Sequence, residues 1–119
     1  MNMEEMQVYR DKCDNHTGAN FLQIEYRAIK KYGIKKATML AMYINKAHEQ
    51  ATFHPENGGW FYFLTSDIQE ICPDVTGKWL AAFRKEMKEL GILHTARDGF
   101  DPTVWNFIDG DRHRELLEK

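Results

Sequence analysis

Histidine, cysteine and carboxylate side chains are the groups here with the means to hold a metal or attack a substrate, and their spacing argues against both. Five histidines occur, but His48 and His54 are six apart at the approach to the Pro55 turn, and His94 and His113 lie far along the chain. No Cys-x-x-Cys or His-Glu-x-x-His spacing sets ligands on one face. Asp109-Gly110-Asp111-Arg112-His113 gathers carboxylates beside an imidazole, yet within a charged tail. Neither Cys13 nor Cys72 has a sequence-adjacent base, and no glycine-rich phosphate loop is present. The chain reads as a non-enzyme with no cofactor, no metal and no small-molecule substrate. The remaining chemistry is that of lysine and arginine on helix faces, which is the chemistry of phosphate contact.

The elements that carry those cations follow from periodicity. Residues 1–20 read as an arm or a short helix near Glu4–Lys12, followed by the Asn-His-Thr-Gly-Ala-Asn turn cluster. From Lys35 to Ala51 apolar residues recur at helical spacing, with Ala37, Leu40, Ala41, Ile44 and Ala47 forming a buried spine. His54-Pro55-Glu56-Asn57-Gly58-Gly59 breaks the chain, and Trp60-Phe61-Tyr62-Phe63-Leu64 has strand length and strand propensity. Alternation sends half of those aromatics inward; the other half could stack on bases. Thr65 or Ser66 is expected to cap a short helix, Asp67–Cys72, ahead of a Pro73-Asp74-Val75 turn.

A second cation-bearing helix is expected from Thr76 to about Leu90. Trp79, Leu80, Phe83, Met87 and Leu90 form its apolar stripe, and Gly91 ends it. Residues 92–97 and 103–108 read as two strands joined at Asp98-Gly99-Phe100-Asp101-Pro102, a β-hairpin. Short helix, three-residue turn, long helix and hairpin make a winged helix-turn-helix, an α+β fold over residues 21–109, with 110–119 as a charged tail. Trp60–Leu64 is expected to pair with the hairpin, which is the wing.

The chain's 119 residues, 43% of them hydrophobic, suffice for one packed domain. Sixteen basic against eighteen acidic side chains give a net charge of −2, which excludes a wholesale polycation. By segment, residues 21–50 sum to +4 and residues 76–97 to +3, while residues 51–75 sum to −4. Local basic faces are therefore present inside a near-neutral total. No apolar run reaches the ~18 residues of a membrane helix, and the polar start is unlike a secretory signal. Two cysteines without export features read as reduced thiols of a cytoplasmic protein.

Phe21-Leu22-Gln23-Ile24, Met39-Leu40-Ala41-Met42-Tyr43, the segment Gly59–Ile68 and Phe83-Arg84-Lys85-Glu86-Met87-Lys88-Glu89-Leu90-Gly91-Ile92-Leu93 together carry a resemblance. The stretch from Phe21 to Ile108 resembles the N-terminal winged-helix domain of plasmid and phage replication initiators, the RepA-N type and its DnaD-like relatives. The resemblance implies double-stranded DNA as partner, in replication initiation or transcriptional regulation, with the chain acting as a dimer. Carried onto this sequence, it makes Thr76 to Leu90 the recognition helix. Thr76, Lys78 and Ala81 would enter the groove, and Arg84, Lys85 and Lys88 would meet phosphates. Arg97 on the wing and Lys35 and Lys36 of the second basic cluster would flank them. Asp98, Phe100 and Asp101 at the wing tip suit a protein surface instead. They motivate the alternative, an interaction module such as a phage-encoded inhibitor or adaptor of a host protein machine.

Overall fold

The computed structural model describes residues 1–14, 22–97 and 99–119. Within them the chain is α+β, with six α-helices and a two-stranded antiparallel sheet. Among the described residues no helix is long and apolar enough to cross a membrane. The Asn15–Asn20 turn cluster, Phe21 and Asp98 lie outside the described residues. Helix α1 spans Met3–Asp14, where a short helix was expected, and residues 1–8 are exposed.

Helix α2 (Tyr26–Tyr32) and helix α3 (Ile34–Phe53) are separated by Gly33 alone. Its φ of 86° is a conformation that glycine adopts without steric cost, so the chain turns there instead of continuing one helix. Helix α3 ends where Pro55 opens a short 3₁₀ turn, Pro55–Asn57. It supplies Met39, Leu40, Met42 and Tyr43 to the core.

Trp60–Leu64 does not form the expected strand. Only Phe61 pairs with the hairpin, exchanging both backbone hydrogen bonds with Asn106 at 2.9 and 2.7 Å. The reason is length. The Trp60 N–H is held by the Asn57 carbonyl at 3.1 Å, and the chain is already helical at Thr65. Alternation nevertheless holds, with Phe61 and Phe63 buried and Tyr62 exposed. Gly59 sits at φ 93°, where an added Cβ would lie 3.0 Å from the Phe107 ring.

Helix α4 (Thr65–Ile71) starts slightly earlier than expected, and its cap is Leu64 instead of Thr65 or Ser66. The Leu64 N–H donates to Asp67 Oδ2 at 3.3 Å, so the carboxylate satisfies a donor at the helix entrance. Helix α5 (Gly77–Glu89) is capped by Thr76, whose Oγ1 accepts the Trp79 N–H at 3.0 Å. It stops at Gly91, φ 80°, with Gly91 and Ile92 N–H groups donating to the Lys88 and Met87 carbonyls.

Strands β1 (Leu93–Arg97) and β2 (Val104–Ile108) pair with Leu93 opposite Ile108 and Arg97 opposite Val104, forming the expected hairpin. The residues expected as a charged tail form helix α6, Gly110–Leu117. Asp109 caps it by accepting the Arg112 N–H at 3.0 Å, and Leu116 joins the core.

Tyr43 is the centre of that core. Its ring lies 5.1 Å from Phe63, 5.8 Å from Phe83 and 6.4 Å from Phe61. Burial pushes its hydroxyl above the ordinary value, against the pull of neighbouring Arg84. Arg84 Nε donates to Tyr43 Oη at 2.7 Å, and its two terminal nitrogens donate to Thr65 Oγ1 and the Phe63 carbonyl at 3.3 Å. One guanidinium thus ties α3, the 60–64 segment, α4 and α5 together. Removing it strands a buried hydroxyl, at a cost of about 1–3 kcal/mol. A double-mutant cycle on Tyr43→Phe and Arg84→Met should return a coupling of about 1 kcal/mol or more in urea unfolding. A coupling near zero would show that the two side chains stabilise the fold independently.

Candidate nucleic-acid interface

The α4–α5 connection is a turn with its own fasteners. Val75 is buried, its N–H donates to the Cys72 carbonyl at 3.1 Å, and Gln69 Nε2 donates to the Val75 carbonyl at 3.0 Å. This fixes the start of α5. Leu80, Phe83 and Met87 face the core, so the opposite side of the helix is directed outward.

That outward side carries Thr76, Gly77, Lys78, Ala81, Ala82, Lys85 and Lys88, with Glu89 as its one acid, all exposed. Lys78, Lys85 and Lys88 make no ion pair among the described residues. The alanines between them leave the helix backbone open to close approach. One of the helix's two acids, Glu86, is neutralised by Lys36 at 2.8 Å. Lys36 is thus bound to α5, and Lys35 is brought to its edge by a different contact. The Lys35 ammonium stands 4.6 Å from the Trp79 ring centre, and Trp79 in turn stacks on Phe83 at 5.5 Å.

Arg84 departs from the sequence expectation. The resemblance implies a phosphate contact there, but its guanidinium points inward to Tyr43, Thr65 and Phe63. The signal was present in the spacing: positions 80, 84 and 87 share one helix face, and Leu80 and Met87 are core residues.

In the hairpin, Arg97 is exposed at the end of β1 and has no ion pair among the described residues. Phe100 is fully exposed at the tip. Asp101 Oδ1 accepts the Thr103 N–H at 2.9 Å, which holds its carboxyl below the ordinary value. The hairpin loop therefore keeps a negative charge. Asp98 lies outside the described residues.

The outer face of the sheet is aromatic. Tyr62 and Trp105 rings are 3.9 Å apart, Trp60 and Phe107 are 5.4 Å apart, and His94 lies 6.3 Å from Phe107. A shallow slot of about 360 Å³ opens between Asn57, Trp60, Ala96, Arg97 and Trp105. The aromatic run alone suggests base stacking but no slot, because the slot depends on Ala96 lying opposite Trp105.

Among the described residues the histidines do not converge. His54 Nδ1 meets Glu56 Oε1 at 3.2 Å, and His48 and His94 are exposed. Among the described residues no group of three or more His, Cys, Asp or Glu side chains is placed to hold a metal ion. His113 is different: it is only 8% exposed, and its Nδ1 has no hydrogen-bond partner among the described residues.

No protein-family model, curated protein or solved structure matches the chain, so the reading of these surfaces rests on their geometry.

Burial holds the His113 imidazole below its ordinary pKa of 6.5; Glu25 opposes that shift and Arg27 adds to it. Protonation therefore favours the unfolded chain. The associated stability is complete above the unfolded value and is lost as pH falls through it toward the folded value. The melting temperature should be level well above the ordinary value of 6.5 and fall as pH drops below it, and His113→Leu should flatten that slope. An equal slope in the variant would assign the acid sensitivity to other groups.

Proposed function

We propose that the chain is a winged-helix protein that binds double-stranded DNA through α5, as a replication initiator or transcriptional regulator of a phage, plasmid or other mobile element. The observation that carries this reading is the outward face of α5, where Lys78, Lys85 and Lys88 stand without ion pairs around two exposed alanines. An α-helix fits the major groove, and a lysine–alanine face lets it approach closely while its cations meet phosphates. Helix α4 and the fastened turn precede it, and the hairpin follows. Lys35 extends the basic edge. Arg84 is not among the proposed contacts, since it is committed to the core.

A fluorescence anisotropy titration with a labelled duplex tests this. Binding is expected at low salt, weakening as salt rises, with the log–log slope falling by nearly one unit for each contacting lysine removed. Lys78→Glu with Lys85→Glu should abolish binding without lowering the melting temperature. Retained binding in that variant, or no binding by the wild type at low salt, would reject the reading.

A second reading, a protein-interaction module, is favoured by a separate observation. Trp60, Tyr62, Trp105 and Phe107 share one half-exposed face beside the acidic hairpin loop with its exposed Phe100. Aromatic side chains of this kind anchor protein interfaces. A photo-crosslinking residue introduced at Ala96 would capture a protein in the producing cells under this reading. Under the DNA reading it would stay silent while duplex binding is retained.

A further inference from the structure

A groove of about 900 Å³ runs along the side of α3 facing α6 and β2. It is separate from the α5 face and from the aromatic slot. Its floor is made of small side chains: Ala37, Ala41, Ala47 and Ala51 recur along α3 and keep the surface low, with Leu40 and Ile44 between them. The stripe expected as a buried spine is buried at Ala37, Leu40 and Ala41 and half-buried at Ile44 and Ala47, and this same side of the helix lines the groove. Phe107, Ile108 and Leu117 form its apolar walls.

The same groove is lined by a polar set. His48, His113, Arg27, Arg114 and Glu25 all contribute, so its formal charge is two arginines against one glutamate, +1 with both imidazoles neutral. Arg27 Nε is bridged to Glu25 at 3.0 Å and Arg114 to Asp111 at 3.7 Å, both pairs being exposed and open to exchange with a ligand. His113 is more than nine-tenths buried, and its Nδ1 has no partner among the described residues. Buried polar atoms are normally satisfied; the His113 Nδ1 is itself closed to solvent, so a turn of this groove-lining ring would offer its unpaired nitrogen to an incoming polar group. Pockets of this volume, mostly apolar with a few convergent polar groups, are the usual form of small-molecule sites.

We propose that this groove binds a small amphipathic anion, its apolar body lying along the α3 alanines and its carboxylate or sulfonate head hydrogen-bonded at His113 and balanced by Arg27 and Arg114. This goes beyond the sequence reading, which gave no small-molecule partner, and is independent of DNA binding. Ligand occupancy would brace α6 against α3.

The test is isothermal titration of the full chain with 2-naphthoate, against the uncharged 2-naphthalenemethanol. The carboxylate should bind saturably at one site, and the alcohol about tenfold or more weakly, since it lacks the charge-assisted contact. Ala47→Phe, which raises the floor, and His113→Leu, which removes the polar anchor, should each weaken naphthoate binding about tenfold while circular dichroism shows a folded chain. Lys78→Glu with Lys85→Glu should leave it unchanged, which separates this site from the DNA reading. Absence of saturable binding up to millimolar concentration, or equal affinity for acid and alcohol, would overturn the proposal. So would affinity unaffected by either groove variant. Displacement of naphthoate by a peptide of residues Met3–Asp14 would assign the groove to the chain's own first helix and also overturn it.

Discussion

The 2.7 Å hydrogen bond from Arg84 to the buried Tyr43 hydroxyl is the contact on which the arrangement of α5 depends. A guanidinium in a half-buried position must satisfy its donors, and this one does so on three different segments. Because Arg84 sits on α5 itself, the bond sets the helix's rotation about its axis as well as its position. Leu80, Phe83 and Met87 then fall into the core, and the lysines are turned outward as a consequence. Apolar packing alone would tolerate some rolling of the helix; a directional hydrogen bond at its flank tolerates less.

The cations divide by the same logic. Arg84 is held in the core, Lys36 is spent on Glu86, and Arg112 donates to the Leu90 carbonyl at 3.0 Å and to Glu115 at 2.9 Å. Those residues hold elements together. Lys78, Lys85 and Lys88 hold nothing among the described residues, and Lys35 only covers an indole ring. A near-neutral chain thus keeps an unpaired basic face on one helix, while the hairpin loop retains an acidic group. That division supports a phosphate-contacting role for α5 and argues against one for the loop.

The parts of the fold legible in the sequence were those with local signatures. Thr76 as a cap, Gly91 as a helix stop, the apolar period of α3 and α5, and the hairpin around residues 98–103 all rest on short-range chemistry. Helix α6 also had such a signature, Asp109 followed by His113, Leu116 and Leu117 at helical spacing, but the density of charge hid it. The Trp60–Leu64 strand failed because pairing length is a tertiary property: two turns confine it to one residue pair. Of the interface, the exposed lysines were legible from periodicity. Arg84 is hard to read as a core residue because its charge favours the surface while its position falls on the face of Leu80 and Met87. The groove was invisible because it is defined by α6, an element the sequence reading left as tail.

The account's central claim is that α5, held by Arg84 and Tyr43, presents its lysine face to duplex DNA. Backbone amide chemical-shift mapping during titration with a short duplex at low salt tests it most directly. The largest shifts are expected at residues 76–88 and at Lys35, with residues 99–103 little changed. Shifts centred on Tyr62, Ala96 and Trp105, or none at any residue, would contradict it.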